Sequence, residues 1–307
     1  MSKQETVGQH YVPKTYLDKF GEIRKNNIFF VYAANKQNLK QTFPVGTSKI
    51  CKKNNLYTLG GATEGERQWI ENFYNNEIES KYNEVYDILT NDNIREITTE
   101  QKELIVYTII TLLFRVTKWQ TLHNNFIGRV FERGIGFASE LGKDYFILGE
   151  EKIYFKGKTL KQLNEEYASS QKEFQVLTQL DLALKLISIR KFDSLGVVNI
   201  KGVPNSFVTS DNPVTLYNFA GSVISPFDPT NQLSLPINSK YVVTLDPKAE
   251  MPYFPPNRIG RIFHSGSLAS NQVLINNYKQ YNSAENFIIG DKQTIESFNG
   301  FRERYKN

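Results

Sequence analysis

The residues best suited to chemistry begin near the N-terminus, where the sequence reads Gln-His-Tyr-Val-Pro at residues 9–13. An imidazole titrates near neutral pH, so it can serve as a general base or as a metal ligand. His10 lies close to a chain terminus, where burial is usually poor and a fold has little need for histidine. Pro13 keeps Val12 extended, which fixes the backbone beside the imidazole. This segment predicts a catalytic His10 with Tyr11 contacting substrate, or else a His10 that only caps an N-terminal strand.

A second polar segment, Thr-Ser-Asp-Asn-Pro at residues 209–213, follows a run typical of a β-strand. Strand ends commonly carry site residues, so the Asp211 carboxylate and the Asn212 amide would face a ligand, with Ser210 as a further substrate contact. Asp and Asn before Pro also start turns, because their side chains bond the backbone two residues on. A plain turn is therefore the competing interpretation.

Charged residues on two predicted helices complete the set of candidates. Glu71 flanks the apolar face of the first helix and Glu77 follows it, although solvent-exposed charge would explain either one. Arg115 directly follows the most apolar stretch of the chain, residues 104–114. A buried arginine needs a carboxylate or an anion as its partner. Glu71, Asp211 or a bound phosphate would supply that partner.

Familiar catalytic signatures are missing from the sequence. It has no Walker-type glycine loop, no Gly-x-Gly-x-x-Gly after a strand, no His-Glu-x-x-His and no Gly-x-Ser-x-Gly. The single Cys51 excludes an internal disulfide and a zinc site made of cysteines. Because lysines flank it, Cys51 could have a lowered pKa, and acyl transfer by Cys51 or Ser210 is a hypothesis of its own.

Composition limits the classes of protein that remain. The chain has 307 residues with 40% hydrophobic side chains, which allows a real core and excludes a disordered protein. Its formal net charge of +5 permits a nucleic acid or another phosphate-bearing partner without requiring one. The apolar run at residues 104–114 is too short to span a membrane, and residues 1–20 lack a secretory signal. We therefore expect a cytoplasmic protein with no membrane partner.

Hydrophobic periodicity predicts the order of the secondary structure. Apolar residues at three- and four-residue steps indicate long helices, and short β-branched or aromatic runs between turn residues indicate strands. The predicted helices span residues 64–90, 98–130 with a stop before Gly134, 159–192 and 267–287. The predicted strands are residues 27–33, a hairpin at 145–157, and runs at 195–200, 207–209, 214–217, 232–236 and 241–245, with residues 35–62 irregular.

Helices and strands are segregated along the sequence, which predicts an α+β fold. Long central helices would pack against a mixed or antiparallel sheet, formed mainly by the C-terminal half together with an N-terminal strand. No linker or repeat marks a boundary, so residues 1–307 are predicted to form one globular domain, with residues 1–9 flexible.

Taken together, the candidate residues resemble the pattern of a mostly bacterial family of uncharacterised proteins, catalogued as domain of unknown function 4238. The resemblance is carried by His10-Tyr11-Val12-Pro13, Tyr16, Leu17, Phe20, Leu56, Tyr57, Glu71, Glu77, Arg115, residues 209–213, Asn277 and Ala284. One departure is Val116-Thr117-Lys118, where a Thr-Pro-like continuation is expected. The resemblance implies no established activity, but it implies that scattered polar residues, Asn277 among them, belong to one shared site.

The enzyme hypothesis is a metal-dependent hydrolase, and within that class a nuclease acting in bacterial conflict or phage defence. Asp211, with Glu71 or Glu77, would hold Mg²⁺ or Mn²⁺ through oxygen atoms. His10 would then act as a general base or as a further ligand, because a divalent ion needs only a few carboxylates and a positioned base to activate water.

In the same hypothesis Arg115 would stabilise a phosphate group, while Asn212 and Asn277 would orient substrate or water. The competing hypothesis is a non-enzymatic ligand-sensing or protein-interaction module. In that module His10, Asp211 and Arg115 would form a buried polar network that attaches the N-terminal strand to the sheet. The two hypotheses differ in whether these residues surround one open cleft.

Overall fold

The computed structural model of the protein describes residues 8–24, 28–61, 63–218, 221, 225–247 and 257–305. The chain forms two compact units, one made of residues 1–116 and 180–307 and the other of residues 117–179. This division does not test whether residues 1–307 form a single domain, which stays a prediction. Of the segment predicted to be flexible, residues 1–7 lie outside the described residues, and the rest begins the first strand.

Both helices and strands are abundant, and they confirm the predicted α+β class. The helices are α1 (Lys14–Leu17), α2 (Glu64–Arg67), α3 (Trp69–Phe73), α4 (Tyr82–Thr90), α5 (Thr99–Arg115), α6 (Thr117–Glu140), α7 (Leu160–Ser170), α8 (Lys172–Arg190), α9 (Gly266–Ser283) and α10 (Lys292–Arg304). Within the described residues, no helix combines the length and the apolar character needed to cross a bilayer.

The strands form two five-stranded sheets and two short pairs. They are β1 (Gly8–His10), β2 (Glu22–Arg24), β3 (Ile28–Asn35), β4 (Asn38–Gly46), β5 (Lys52–Asn54), β6 (Tyr145–Leu148), β7 (Glu151–Tyr154), β8 (Ser194–Lys201), β9 (Thr209–Ser210), β10 (Thr215–Asn218), β11 (Asn231–Pro236), β12 (Tyr241–Asp246), β13 (Ile259–Ser265) and β14 (Phe287–Gly290). The short pairs are β1 with β5 and β6 with β7.

The first five-stranded sheet joins sequence from both ends of the chain. Its order is β2-β3-β14-β9, β4 also pairs with β3, and every pair is antiparallel. The predicted N-terminal strand is β3, whose Ile-Phe-Phe-Val run favours a pleated, half-buried surface. Ala34, Val208 and Ile288 of this region pack with Ile295 and Phe298 of α10. The polar segment at residues 209–213 therefore begins inside a sheet, beside β14.

The second five-stranded sheet comes from the C-terminal half and is mixed, as predicted. Its order is β10-β11-β12-β8-β13, with β8 and β13 parallel and the other neighbours antiparallel. Side chains alternate between the two faces, so Val197 and Leu245 point one way and Ile200 and Val242 the other. Ile200 and Val242 pack with Val273 of α9. Helix α9 therefore covers part of the second face.

The central buried helix predicted from the apolar run is α5. Thr98 and Gln101 form a capping box at its start, which satisfies two backbone N–H groups at the exposed N-terminus. The prediction that this helix continues to residue 130 is wrong, because the backbone at Val116 is extended with ψ of 155°. Helix α5 therefore ends at Arg115, and α6 is a separate helix.

The compact unit of residues 117–179 contains α6, the hairpin β6–β7 and α7, and the hairpin prediction is confirmed. Gly149 has φ of +61° at the hairpin turn, a conformation that glycine adopts at no steric cost. The predicted stop before Gly134 is wrong, since α6 continues to Glu140. A Cβ at residue 134 would lie 2.7 Å from Cδ2 of Phe146, so this glycine allows the hairpin to pack closely on the helix.

Two other segments predicted to be continuous helices are interrupted. The segment 64–90 is interrupted by a π-helical turn at Tyr74–Ile78 and a 3₁₀ turn at Glu79–Lys81, where Asn and Glu replace the apolar repeat. The segment 159–192 is divided at Gln171 into α7 and α8.

Residues 35–62, predicted to be irregular, include β4 and β5. Pro44 in β4 faces Tyr32, and proline is tolerated there because β4 pairs only with β3 among the described strands and is therefore an edge strand. Helix α9 ends at Ser283 instead of residue 287, and β13, β14 and α10 are additional elements.

Candidate functional site

His10 lies on β1, which pairs antiparallel with β5 so that His10 faces Lys52. Burial lowers the pKa of the His10 imidazole, and the positive charges of Lys52 and Arg115 lower it further, whereas Glu79 raises it. The Nε2 atom of His10 is buried and has no hydrogen-bond partner in the described part of the chain. His10 is therefore a partly buried imidazole whose surroundings favour the neutral form.

Arg115 is buried at the C-terminal end of α5, with 2% of its surface exposed. Its Nη2 atom donates to the backbone carbonyl of His10 at 2.6 Å and to Oε1 of Glu79 at 3.0 Å. The guanidinium carbon lies 4.4 Å from the ring centroid of Tyr74 and 5.8 Å from that of Tyr57. The ion-pair partner is thus Glu79, not Glu71 or Asp211 as the sequence suggested, and both aromatic rings add favourable contacts with the cation.

Glu71, on α3, contributes a second acidic group beside this arginine. Burial raises the pKa of the Glu71 carboxyl, Arg115 lowers it and Glu79 raises it, so the three charges lie within electrostatic reach. The structure therefore brings together His10, Glu71, Glu79 and Arg115, named here the Arg115 cluster. Glu77 is outside it, because its side chain is exposed and pairs with Lys81 at 3.1 Å.

A closed chain of hydrogen bonds connects the Arg115 cluster to the start of the protein. The buried side-chain oxygen of Gln9 accepts from the backbone N–H of Tyr57 at 2.6 Å, and the Tyr57 hydroxyl donates to the carbonyl of Arg115. The hydroxyl of Tyr16 contacts that of Thr209 at 2.6 Å and donates to the carbonyl of Pro236. These contacts attach residues 9–16 to α5 and to both large sheets.

The space beside Arg115 is small. A cavity of about 10 Å³ is lined by Thr15, Tyr82, Thr111 and Arg115 among others. The hydroxyl oxygens of Thr15 and Tyr82 have no hydrogen-bond partner in the described residues. A volume of this size accommodates roughly one water molecule.

Asp211 is 1% exposed, and both of its carboxylate oxygens are occupied. Oδ1 accepts from the backbone N–H of Glu285 at 2.8 Å, and Oδ2 accepts from that of Asn286 at 2.7 Å. Burial raises the pKa of Asp211, and these backbone hydrogen bonds lower it. Asp211 thus fixes the loop between α9 and β14.

The polar neighbours of Asp211 also bond to α9 or to the loop after it. Ser210 donates to the side chain of Gln280 at 2.8 Å, and the Asn212 amide donates to the carbonyl of Ser283 at 2.9 Å. Asn277 accepts from the N–H of Val208 at 2.9 Å and donates to the carbonyl of Ser206 at 3.0 Å. Ser210, Asp211, Asn212 and Asn277 are named here the α9 network.

Tyr11 and Cys51 share a side-chain hydrogen bond and lie within electrostatic reach of Asp211. Burial raises the pKa of the Tyr11 hydroxyl, and Cys51 and Asp211 raise it further. Burial, with Asp211 adding to it, also raises the pKa of the Cys51 thiol, so the lowered pKa allowed by the flanking lysines is wrong. Of the predicted residues, His10, Glu71 and Arg115 thus fall in the Arg115 cluster and Ser210, Asp211, Asn212 and Asn277 in the α9 network. Tyr11 and Glu77 belong to neither group.

The three predicted metal ligands, Asp211, Glu71 and Glu77, do not form one ligand set. Among the described residues, no three His, Cys, Asp or Glu side chains are grouped closely enough to hold an ion. The residues named in the sequence analysis therefore do not fit one divalent cation in this arrangement, and the use of Mg²⁺ or Mn²⁺ stays a prediction.

A larger pocket lies elsewhere, between the second five-stranded sheet and α9. It has a volume of about 510 Å³, and its polar wall includes Gln232, Thr244, Asp246 and Lys279. Burial raises the pKa of Asp246, and burial lowers the pKa of Lys279, although Asp246 opposes that change. We name this space the sheet–helix pocket.

Sequence analysis missed the residues of this pocket. Asp246 directly follows the predicted strand 241–245, and period-two alternation places it on the same face as Thr244 and Val242. That alternation was a usable signal for Asp246. Lys279 lies in the predicted helix 267–287, but nothing in its spacing shows which sheet face the helix covers.

The described residues define an α+β protein that contains two internal polar networks and, between a sheet and a helix, an open pocket. The chain belongs to the family described as protein of unknown function DUF4238, whose model matches residues 8–294. This match confirms the resemblance drawn from the sequence. No curated protein and no solved structure matches the chain.

Acidification is expected to destabilise the wild type more than a His10→Gln variant. Because folding lowers the pKa of His10 below its ordinary 6.5, the unfolded chain binds the proton more tightly. This contribution to stability is complete above pH 6.5 and is lost as the pH falls through the folded pKa. The pKa of Glu71 is raised on folding, so its contribution to stability changes with pH in the opposite direction. Glu71 is present in both proteins, so the comparison with His10→Gln isolates the imidazole. Urea unfolding at about pH 7 and about pH 5 measures it, and equal pH slopes would contradict it.

Proposed function

We propose that this protein is a non-enzymatic ligand-binding module whose ligand enters the sheet–helix pocket. The observation that carries the proposal is that Asp246 and Lys279 both line this pocket of about 510 Å³. In the described part of the chain no ion pair joins them. Small-molecule sites are concave spaces of similar volume with a few placed polar groups. Two opposite charges that are partly desolvated but not in contact would gain from a polar ligand.

The internal networks fit a structural role in such a module. The α9 network uses both oxygens of Asp211 and the amide of Asn277 for hydrogen bonds to backbone N–H and C=O groups. Helix α9 is one wall of the sheet–helix pocket, so these bonds also fix the position of that wall. The Arg115 cluster attaches the N-terminal strand by the bond from Arg115 to His10. The second hypothesis had one network of His10, Asp211 and Arg115; here Arg115 bonds to His10, whereas Asp211 bonds to the loop after α9.

A second candidate function is a hydrolase centred on the Arg115 cluster, with a nuclease in bacterial conflict or phage defence as its specific form. One observation favours it: Nε2 of His10 and Oε2 of Glu71 are buried without a hydrogen-bond partner in the described residues. A lowered pKa suits His10 as a general base, and a raised pKa suits Glu71 as a general acid. Its predicted cofactor, Mg²⁺ or Mn²⁺, would need a ligand set other than Asp211, Glu71 and Glu77.

One experiment separates the two candidates. Thermal denaturation of the wild-type full chain is measured in the presence of amino acids, nucleosides, monosaccharides or dicarboxylic acids. The same series is measured on the Ile262→Trp variant, whose larger side chain fills the sheet–helix pocket. We expect at least one class to raise the Tm of the wild type and to leave that of Ile262→Trp unchanged, because a ligand stabilises only the state that binds it.

The same samples are assayed for cleavage of single-stranded DNA and RNA with Mg²⁺ or Mn²⁺. Cleavage that disappears in His10→Gln, together with no pocket-dependent Tm shift, would favour the hydrolase and contradict the binding module. Pocket-dependent stabilisation without cleavage supports the binding module. His10→Gln is checked for folding by circular dichroism, so that a loss of cleavage reports on the imidazole.

A further inference from the structure

The polar end of the sheet–helix pocket is built by three neighbouring strands. The Gln232 amide donates to Oδ1 of Asp246 at 2.6 Å, and the Thr244 hydroxyl donates to Oδ2 at 2.8 Å. Gly196 faces Thr244 across β8 and β12. A Cβ at residue 196 would lie 2.5 Å from Oγ1 of Thr244 and 3.0 Å from Oδ2 of Asp246. The glycine thus provides the space in which the carboxylate is held in one orientation.

Two charged groups at this end retain capacity for a ligand. A carboxylate has about four acceptor positions, and within the part of the chain that the structure describes Asp246 uses one on each oxygen. The Lys279 ammonium lies 4.6 Å from the ring centroid of Tyr217, a contact with the ring face that leaves N–H donors available. A ligand could therefore place a hydrogen-bond acceptor on Lys279 and a cationic donor on Asp246.

Aliphatic side chains also line the pocket, together with His264 and Gln272. Val198 and Ile262 lie on the same sheet face as Thr244, one and two strands away, and Ile275 lies one turn before Lys279 on α9. Ile262 and Ile275 have 42% and 51% of their surface exposed. Partly exposed aliphatic side chains beside a polar end favour a ligand with one charged end and one apolar end, because contact with the apolar end removes this surface from water.

A ligand of a single charge fits this arrangement poorly. A dicarboxylate would place one negative group near Asp246, and a diamine would place one positive group near Lys279, so that like charges repel. A zwitterion places its positive group near Asp246 and its negative group near Lys279, so both contacts are attractive. An α-amino acid carries its ammonium and carboxylate on one carbon and its side chain on the same carbon, which matches two charged groups with exposed aliphatic side chains beside them.

We propose that the sheet–helix pocket binds an apolar α-amino acid, with its carboxylate on Lys279, its ammonium on Asp246 and its side chain against Ile262 and Ile275. This inference rests on the proposed binding function and names its ligand class. It assigns Lys279 and Asp246 as the residues that select a zwitterion.

Isothermal titration calorimetry of the full chain with L-leucine, L-isoleucine and L-phenylalanine tests the inference. We expect binding of at least one of them by the wild type, weakened at least about tenfold in Lys279→Met and in Asp246→Asn, because each variant loses a charge-assisted contact. Lys161→Met is the matched control, since its side chain is 84% exposed on α7, and it should bind as the wild type does. The amide and N-acetyl derivatives of the same amino acids should each bind at least about tenfold more weakly.

Three outcomes would overturn the inference. These are no heat of binding with any of the three amino acids, equal affinity for the amide and N-acetyl derivatives, or unchanged affinity in Lys279→Met and Asp246→Asn. The derivatives are tested on the wild type, so the result does not depend on the folding of a variant. If a nucleoside, sugar or dicarboxylic acid instead gives the pocket-dependent Tm shift, the amino-acid assignment fails while the binding function stands.

Discussion

Replacing Arg115 with methionine is expected to lower the free energy of unfolding by about 3 kcal/mol. Methionine fills a similar volume beside the rings of Tyr57 and Tyr74 but donates no hydrogen bond, so the His10 carbonyl and Glu79 lose their partner. Because the Glu79 side chain keeps 16% exposure, water relieves part of the penalty. The loss therefore falls at the low end for a broken buried ion pair. Urea denaturation followed by circular dichroism measures it.

Lys81→Met is the matched control for this prediction. Lys81 pairs with Glu77 at 3.1 Å in the same helical region, but both side chains are about half exposed. Exposed pairs of this kind contribute at most about 0.5 kcal/mol, so the control should be nearly as stable as the wild type. If Arg115→Met unfolds at the same urea concentration as Lys81→Met, the guanidinium does not stabilise the N-terminal strand.

Burial of Arg115 was predictable from the sequence, but its partner was not. The apolar run at residues 104–114 implies a helix buried nearly all round, which makes an arginine directly after it a candidate for burial. Its partner depends on how residues 74–81 leave the helical repeat. Their π-helical and 3₁₀ turns change the direction of each following side chain. Glu79 therefore reaches Arg115, while Glu77 points to solvent.

The polar segment at residues 209–213 shows a different limit of sequence reasoning. Its turn chemistry was recognised, yet the atoms that bond Asp211 are backbone N–H groups of Glu285 and Asn286. Backbone donors exist at nearly every residue, so the sequence carries no signal for which of them a carboxylate will meet. The sequence also does not show that Lys279 lies near Asp246, because only tertiary packing places α9 over that face of the sheet.

Replacing Asp211 with alanine is expected to lower the free energy of unfolding by about 3 kcal/mol, the second large effect. The variant leaves two partly buried backbone N–H groups, those of Glu285 and Asn286, without their charged acceptor. Asp211→Asn should restore only part of the loss, because an amide keeps one acceptor oxygen and turns an NH₂ group toward the other donor. Urea denaturation of both variants measures the difference.

The control for Asp211 is Asp181→Ala, an aspartate that is 56% exposed and pairs with Lys185 at 2.7 Å, for which we expect a loss below about 0.5 kcal/mol. The outcome also bears on function. A hydrolase with Asp211 as a metal ligand predicts a stable but inactive Asp211→Ala protein. An α9 network that fixes one wall of the sheet–helix pocket predicts instead a destabilised protein whose ligand affinity falls together with its stability. Full stability of Asp211→Ala would therefore contradict the structural role and return this carboxylate to the list of catalytic candidates.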